Sequence, residues 1–289
     1  MQTAARIEGA LEQAVALASA SGAPPLLAGA MRYAVFPAGH RIRPQLCLAV
    51  ALACGDPDPI ATDAAAVAIE LLHCASLVHD DLPCMDNADF RRGKTSVHLE
   101  YGEPLAVLTG DALIVQAFST LAGVALQNPA RVALLIGLVA RAVGSPAGIV
   151  AGQAWECEVA VPLAEYQRAK TGALFVAATM AGAAAAGHDP EPWRTLGEKL
   201  GEAYQVADDL RDVLCDAEEL GKPNGQDAIR LRPNAAAELG VDGAKAHLEA
   251  LVSAAVASVP DCPGASELRK LIAAQTAMFF PKQLARVAA

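Results

Sequence analysis

Apolar residues recur along this chain at three- and four-residue intervals, the spacing of one face of a helix. Val67, Leu71, Leu72, Ala75 and Val78 form one such stripe, and it runs into Asp80, Asp81 and Asp86. Val206, Ala207, Leu210, Val213 and Leu214 form a second, around Asp208, Asp209 and Asp212. Taken in order, the pattern predicts an amphipathic helix over 3–20, stopped by Ser21-Gly22 and Pro24-Pro25, and another over 26–35. Pro44 suits the first turn of a third helix ending at Gly55. After the turn Asp56-Pro-Asp-Pro59, a long helix from about residue 61 reaches Asp80, and Pro83 breaks it so that Asp86 sits on a bend. Residues 92–98 read as a loop, Glu103-Pro104 starts a helix, and further helices follow at about 129–143 and 146–159. Pro162 opens the next, which Lys170-Thr171-Gly172 interrupts, and the Ala-rich run 173–187 reads as a tightly packed interior helix. Segments 233–240, 242–258 and 264–286 complete the series. Strand-like alternation, repeats and linkers are not found, so the expected fold class is all-α, with residues 1–289 forming a single domain.

Composition narrows the chemistry. A 54% hydrophobic content with only 4% aromatics suits close-packed helices built on alanine and leucine. A net charge of −10 argues against a nucleic-acid partner, so any anionic substrate must meet local cations or metals. Seven scattered cysteines, without zinc spacing, read as reduced thiols. The N-terminal stretch carries Glu8 and Glu12 and lacks the apolar core of a secretory signal. Apolar runs such as Val132 to Ala140, stopped by Arg141, fall short of the ~18 residues of a spanning helix. A cytoplasmic protein with no membrane span is expected.

The acidic clusters carry the strongest signal. Asp80, Asp81 and Asp86 close an apolar helix, and no Lys or Arg lies between Ile69 and Phe90 to neutralise them. Buried carboxylates need a counter-charge, and an oxygen-only donor set suits a hard cation such as Mg²⁺. Gln205, Asp208, Asp209 and Asp212 fall on a single helical stripe where like charges repel. One acidic cluster reads as well as a solvated face; two matched clusters inside apolar helices point to metal. Arg41 and Arg43, at a helix start, are either surface charges or an anion site.

Asp80-Asp81-Leu-Pro-Cys-Met-Asp86, followed by Arg91-Arg92-Gly93, has the form DDxxxxD, and Asp208-Asp209-Leu-Arg-Asp212 has the form DDxxD. The two stretches resemble the aspartate-rich motifs of the trans-isoprenyl diphosphate synthases, the farnesyl and geranylgeranyl diphosphate synthases. Over nearly the whole chain the likeness is to the bacterial geranylgeranyl enzymes of carotenoid-type pathways. The resemblance implies the isoprenoid synthase fold, a helical bundle around a central active-site cavity, and a homodimer. It implies a prenyltransferase that joins isopentenyl diphosphate head-to-tail to allylic diphosphates, using three Mg²⁺ ions per active site, or Mn²⁺.

Residue by residue, the resemblance assigns metal binding to Asp80, Asp81, Asp86, Asp208, Asp209 and Asp212. It gives the allylic diphosphate to Arg91, Lys170, Thr171, Gln205 and Lys222, with Asp80, Asp86, Arg91, Lys170 and Asp208 as the catalytic set. It gives isopentenyl diphosphate to His40, Arg43, His73 and Arg92. His40-Arg41-Ile42-Arg43-Pro44 resembles the segment GGKRxRP, with His40 at the lysine position and Ala38 before Gly39; Gln153 and Glu156 resemble GQxxD, with Glu replacing Asp. The polar loop from Glu219 to Asp227 fits a lid, and Arg230 and Arg232 follow where relatives often carry a lysine. His79 and Asp111 are taken as structural. Ala75 and Ser76, five and four residues before Asp80, are small where farnesyl-length enzymes place a bulky aromatic; they leave a path to Leu72 and, with the Pro83-Cys84 insertion, imply a C20 product. The alternatives are a farnesyl (C15) synthase and a catalytically silent partner subunit, the latter suggested by His40. A class I terpene cyclase and a squalene- or phytoene-type synthase fit the motifs less well.

Overall fold

The computed structural model describes residues 2–20, 22–36, 39–126, 128–159, 163–214 and 234–277. Lys222, Asp227, Arg230, Arg232 and the chain beyond residue 277 lie outside the described residues. The chain divides into two compact units, residues 1–140 with 177–190, and residues 141–176 with 191–289.

The first unit contains α1 (Gln2–Ala18), α2 (Pro25–Val35), α3 (Ile42–Ala53), α4 (Pro59–Asp80), α5 (Val97–Tyr101), α6 (Glu103–Gly123) and α7 (Pro129–Val143) up to residue 140. Its centre is α4, against which α1, α2, α3 and α6 pack. Asp58 caps it, accepting the Ala61 N–H at 3.1 Å, and Pro59 fills the first turn. Ile69, Leu71 and Leu72 are at most 1% exposed, as the apolar stripe requires. Both α4 and α6 are long and apolar enough to cross a membrane by length and composition alone, though Asp63 and Glu70 interrupt α4 and Asp111 interrupts α6. In α4, 72% of the apolar window is buried within the protein itself, the mark of a core helix.

The predicted 92–98 loop contains a hairpin instead. Strands β1 (Phe90–Arg91) and β2 (Lys94–Thr95) pair antiparallel. Arg92 (φ 54°) and Gly93 (φ 75°) form the two-residue turn, both in the left-handed region that such turns need. Strands of two residues are too short to show alternation; the Arg-Gly turn pair was the available signal.

The second unit contains α8 (Ile149–Ala154) with a 3-10 turn over Trp155–Cys157, α9 (Leu163–Gln167) and a π-turn over Arg168–Gly172. It continues with the start of α10 (Ala173–Ala185, counted with the first unit from residue 177), α11 (Arg194–Leu214), α12 (Ala235–Ala257) and α13 (Ala265–Thr276). The helix expected over 146–159 is shorter than its pattern. The predicted break near residue 240 is a kink at Gly240, φ 70°. Leu196, Leu200, Ala203, Ala207 and Leu210 bury one face of α11, which packs against α12 and the π-turn. Apart from the hairpin the described residues form an all-α fold.

Candidate active site

In the first unit, Asp80 is the last residue of α4. The chain then doubles back: the Asp86 N–H donates to the Asp80 carbonyl at 2.8 Å, and the Ala88 N–H donates to that of Asp81 at 3.2 Å. The bend predicted from Pro83 thus brings Asp86 back beside Asp80. Asp81 faces inward, 2% exposed, and takes the Arg91 Nε–H on its two oxygens at 2.9 and 3.2 Å, with a further bond from Nη2. Burial pushes the Asp81 carboxyl above its ordinary range, against the pull of Arg91.

Cations gather close to these carboxylates. Arg43 Nη1 lies 3.5 Å from His73 Nε2. Burial first, then the guanidiniums of Arg43, Arg92, Arg91 and Arg41, hold the His73 imidazole well below its ordinary value. The guanidiniums of Arg43 and Arg92 beside His73 give a place where an anion can bind. Arg41 is not part of that surface. It is 5% exposed, in the left-handed region (φ 49°), and bonds Glu8 (2.9 Å), Glu70 (2.7 Å) and the Val35 carbonyl (2.8 Å). It anchors the loop from which Arg43 starts. His40 does not join the cluster by burial: its side chain is exposed, and its carbonyl accepts from Gln45 at 2.9 Å. Leu72 and Ala75 are 1% exposed, and the half-buried Ser76 donates to the His73 carbonyl at 2.8 Å.

In the second unit, Asp208 and Asp212 lie one turn apart on α11, half-buried and buried. Asp209, 1% exposed, accepts from Gln205 Nε2 at 2.9 Å and from the Ala235 N–H at 2.8 Å, where α12 begins. The Gln205 amide oxygen takes the Thr171 hydroxyl at 2.9 Å. Lys170 and Thr171 stand in the π-turn, a form of helix that collects at functional sites. Lys170 Nζ donates to Glu156 Oε1 at 2.6 Å, as does the Tyr166 hydroxyl at 2.6 Å, while Gln153 donates to Oε2 at 3.2 Å. A Cβ at Gly152 would stand 2.4 Å from the Lys170 backbone nitrogen, so glycine is what lets α8 lie against the turn.

Among the described residues no three His, Cys, Asp or Glu side chains form a ready-made cage. The outer carboxylates of each motif are nevertheless hard oxygen donors of the kind Mg²⁺ takes while keeping several waters. Asp81 is held by Arg91, and Asp209 by Gln205 and Ala235.

The sequence pattern of the polyprenyl synthetase family matches residues 24–262. The chain belongs to the polyprenyl synthetase family. A geranylgeranyl diphosphate synthase of Cereibacter sphaeroides is 56% identical over 280 residues, 97% of each chain. Another, of Rhodobacter capsulatus, is 55% identical over 267 residues, 92% of each chain. A solved geranyltransferase of Helicobacter pylori, complexed with magnesium and isoprenyl diphosphate, is similar with a TM-score of 0.78 at 29% identity, covering 93% of this chain and 95% of that one. The protein is therefore a prenyltransferase of the trans-isoprenyl diphosphate synthase type. In this polyprenyl synthetase the sequence reading missed Tyr166 and the anchoring role of Glu70. Tyr166 stands four residues before Lys170, one turn in a regular helix, and Glu70 is a lone acid in the apolar stripe of α4. Both were detectable as residues, though not as partners.

Proposed function

We propose that this polyprenyl synthetase catalyses the Mg²⁺-dependent head-to-tail condensation of isopentenyl diphosphate with allylic diphosphates, giving the C20 product geranylgeranyl diphosphate. The observation that carries the reading is the setting of His73, 3.5 Å from Arg43 Nη1 and near Arg91 and Arg92, on the same helix as Asp80 and seven residues before it. That arrangement suits one diphosphate held by guanidiniums and an imidazole beside carboxylates fit for metal.

Asp80 and Asp86 in the first unit, and Asp208 and Asp212 in the second, would each hold Mg²⁺, three ions in all, with Mn²⁺ as a substitute. Bound Mg²⁺ neutralises a diphosphate leaving group. Asp81 and Asp209 keep the outer carboxylates placed through Arg91 and Gln205. Arg91, Lys170 and Thr171 donate to the allylic diphosphate, and Lys170 exchanges part of its bond with Glu156 for a phosphate oxygen. Arg43, His73 and Arg92 hold isopentenyl diphosphate. The allylic C–O bond ionises, the terminal alkene of isopentenyl diphosphate attacks C1, and the proton lost leaves with the departing diphosphate. Walls of Ala, Leu and Val supply no nucleophile to the cation. Ala75 and Ser76 leave room for the growing tail toward Leu72. A homodimer would cover Leu108 and Val115 of α6, which are 52% and 65% exposed.

The test is a product assay with Mg²⁺, isopentenyl diphosphate and each of the C5, C10 and C15 allylic diphosphates, read by mass. A C20 product that disappears with EDTA and in Asp80→Ala is the expected result. A C15 product keeps the condensation and discards the length argument. No condensation with any primer points to the silent partner subunit.

A further inference from the structure

The β1–β2 hairpin carries a cation with no assigned role. Lys94 stands opposite Arg91 in the ladder, so the two side chains leave the same face. Their surroundings differ. Arg91 is neutralised by Asp81. Lys94 is half-buried, with its ammonium 3.7 Å above the ring of Tyr33 and donating to the Phe36 carbonyl at 3.0 Å. Among the described residues it makes no ion pair. In a chain with 32 acids and 22 Lys and Arg, a half-buried lysine that rests on a ring and a neutral carbonyl is placed to take an anion.

Its position says which anion. Phe36 and Gly39 flank the start of the loop that leads through Arg41 to Arg43. Lys94 rests on Phe36, and the Arg92 guanidinium rests on Gly39, where a Cβ would come within 2.6 Å of Cζ. The same cleft is lined by Arg91, Arg92 and Lys94, together with Cys74 and Leu77 of α4. Tyr33, beneath the ammonium, is fixed by its hydroxyl on the Thr95 carbonyl at 2.8 Å and by an edge contact with Tyr101. The platform is rigid and the four-carbon stem is not. The ammonium can therefore leave a neutral carbonyl for a phosphate oxygen, a bond of roughly twice the strength.

We propose that Lys94 is a diphosphate-binding residue of the isopentenyl diphosphate subsite, acting with Arg43 and Arg92. It supplies a lysine ammonium to a subsite in which His40 stands at the motif lysine position. The inference rests on the condensation reading above and adds a binding residue that neither motif contains.

The test uses the full chain with Mg²⁺ and steady-state kinetics for each substrate separately. Lys94→Met is expected to raise KM for isopentenyl diphosphate about tenfold, the value of one charge-assisted hydrogen bond. KM for the allylic diphosphate and the melting temperature should stay near wild type. Lys94→Arg should recover most of the loss, and Lys94→Met combined with His40→Lys should recover part of it. An unchanged KM for isopentenyl diphosphate in Lys94→Met overturns the proposal. So does an equal rise in both KM values, or a fall in melting temperature that accounts for the loss. Should wild type itself fail to condense, the reaction reading fails, and calorimetric titration with isopentenyl diphosphate decides Lys94 separately. Weaker binding by Lys94→Met then supports the subsite, and equal binding overturns it.

Discussion

Arg91 Nε lies 2.9 and 3.2 Å from the two carboxylate oxygens of Asp81, a side chain only 2% exposed. The second aspartate of the first motif is thus bound by Arg91, and its neighbour Asp80 ends α4 beside Asp86. Removing one member of a fully buried ion pair costs about 3–5 kcal/mol, and here the cost is smaller, because the Arg91 side chain is 31% exposed and also lies near Asp80 and Asp86. Asp81→Ala is therefore expected to lower the denaturant midpoint and activity together. Asp80→Ala should abolish condensation with a much smaller effect on the midpoint. Equal midpoints for the two variants would remove the distinction between them.

The Lys170 turn depends on a missing methyl group. A Cβ at residue 152 would stand 2.4 Å from backbone nitrogen and 2.6 Å from Cα of Lys170, and backbone cannot swing aside as a side chain can. Gly152→Ala should destabilise the fold by about 1–3 kcal/mol and raise KM for the allylic diphosphate through a displaced Lys170. Thermal melts and single-substrate kinetics check both.

His73 links folding to pH. Its folded-state value is held well below 6.5 by burial and by Arg43, Arg92, Arg91 and Arg41. Between that value and 6.5 the unfolded chain carries a proton that the folded chain does not. Stability is therefore complete above this window and declines as pH falls through it, by at most about 1.4 kcal/mol per pH unit. Chemical unfolding at about pH 7.5 and about pH 5 should show a smaller decline in His73→Gln than in wild type. An equal decline would place the sensitivity elsewhere.

Product length should respond to bulk on the α4 turn before Asp80. Ser76 is half-buried and Ala75 is 1% exposed, so an aromatic is more easily accommodated at 76. Ser76→Phe should shift the product from C20 toward C15. Ala75→Tyr should do the same, with a stability loss of about 1–3 kcal/mol from overpacking. Mass analysis of the products with a C10 primer reads the shift, and an unchanged C20 product from both would remove the account of length control.

The helices that carry the candidate site were legible in the amino-acid sequence. Asp80, Asp86, Asp208 and Asp212 sit where the motif spacing puts them, and the long helices follow their apolar stripes closely. Three features were not legible. The hairpin is too short for an alternation signal. The π-turn around Lys170 showed in the sequence only as an interruption of an apolar pattern. Lys94 looked like part of an unstructured loop, and only the ladder sets it opposite Arg91.

The sequence determined the all-α class and placed the acidic pairs on their helices, and its motifs carried the family resemblance. Helical periodicity is local, and a carboxylate at i and i+4 shares a face whatever surrounds it. Tertiary structure alone decided which charges are already answered: Asp81 by Arg91, Asp209 by Gln205 and the start of α12, Arg41 by Glu8 and Glu70, Lys170 by Glu156. Such pairings depend on burial and on distances of a few ångströms between residues as many as 33 positions apart, here Arg41 and Glu8. Packing of the helices sets those distances, and no local pattern records them.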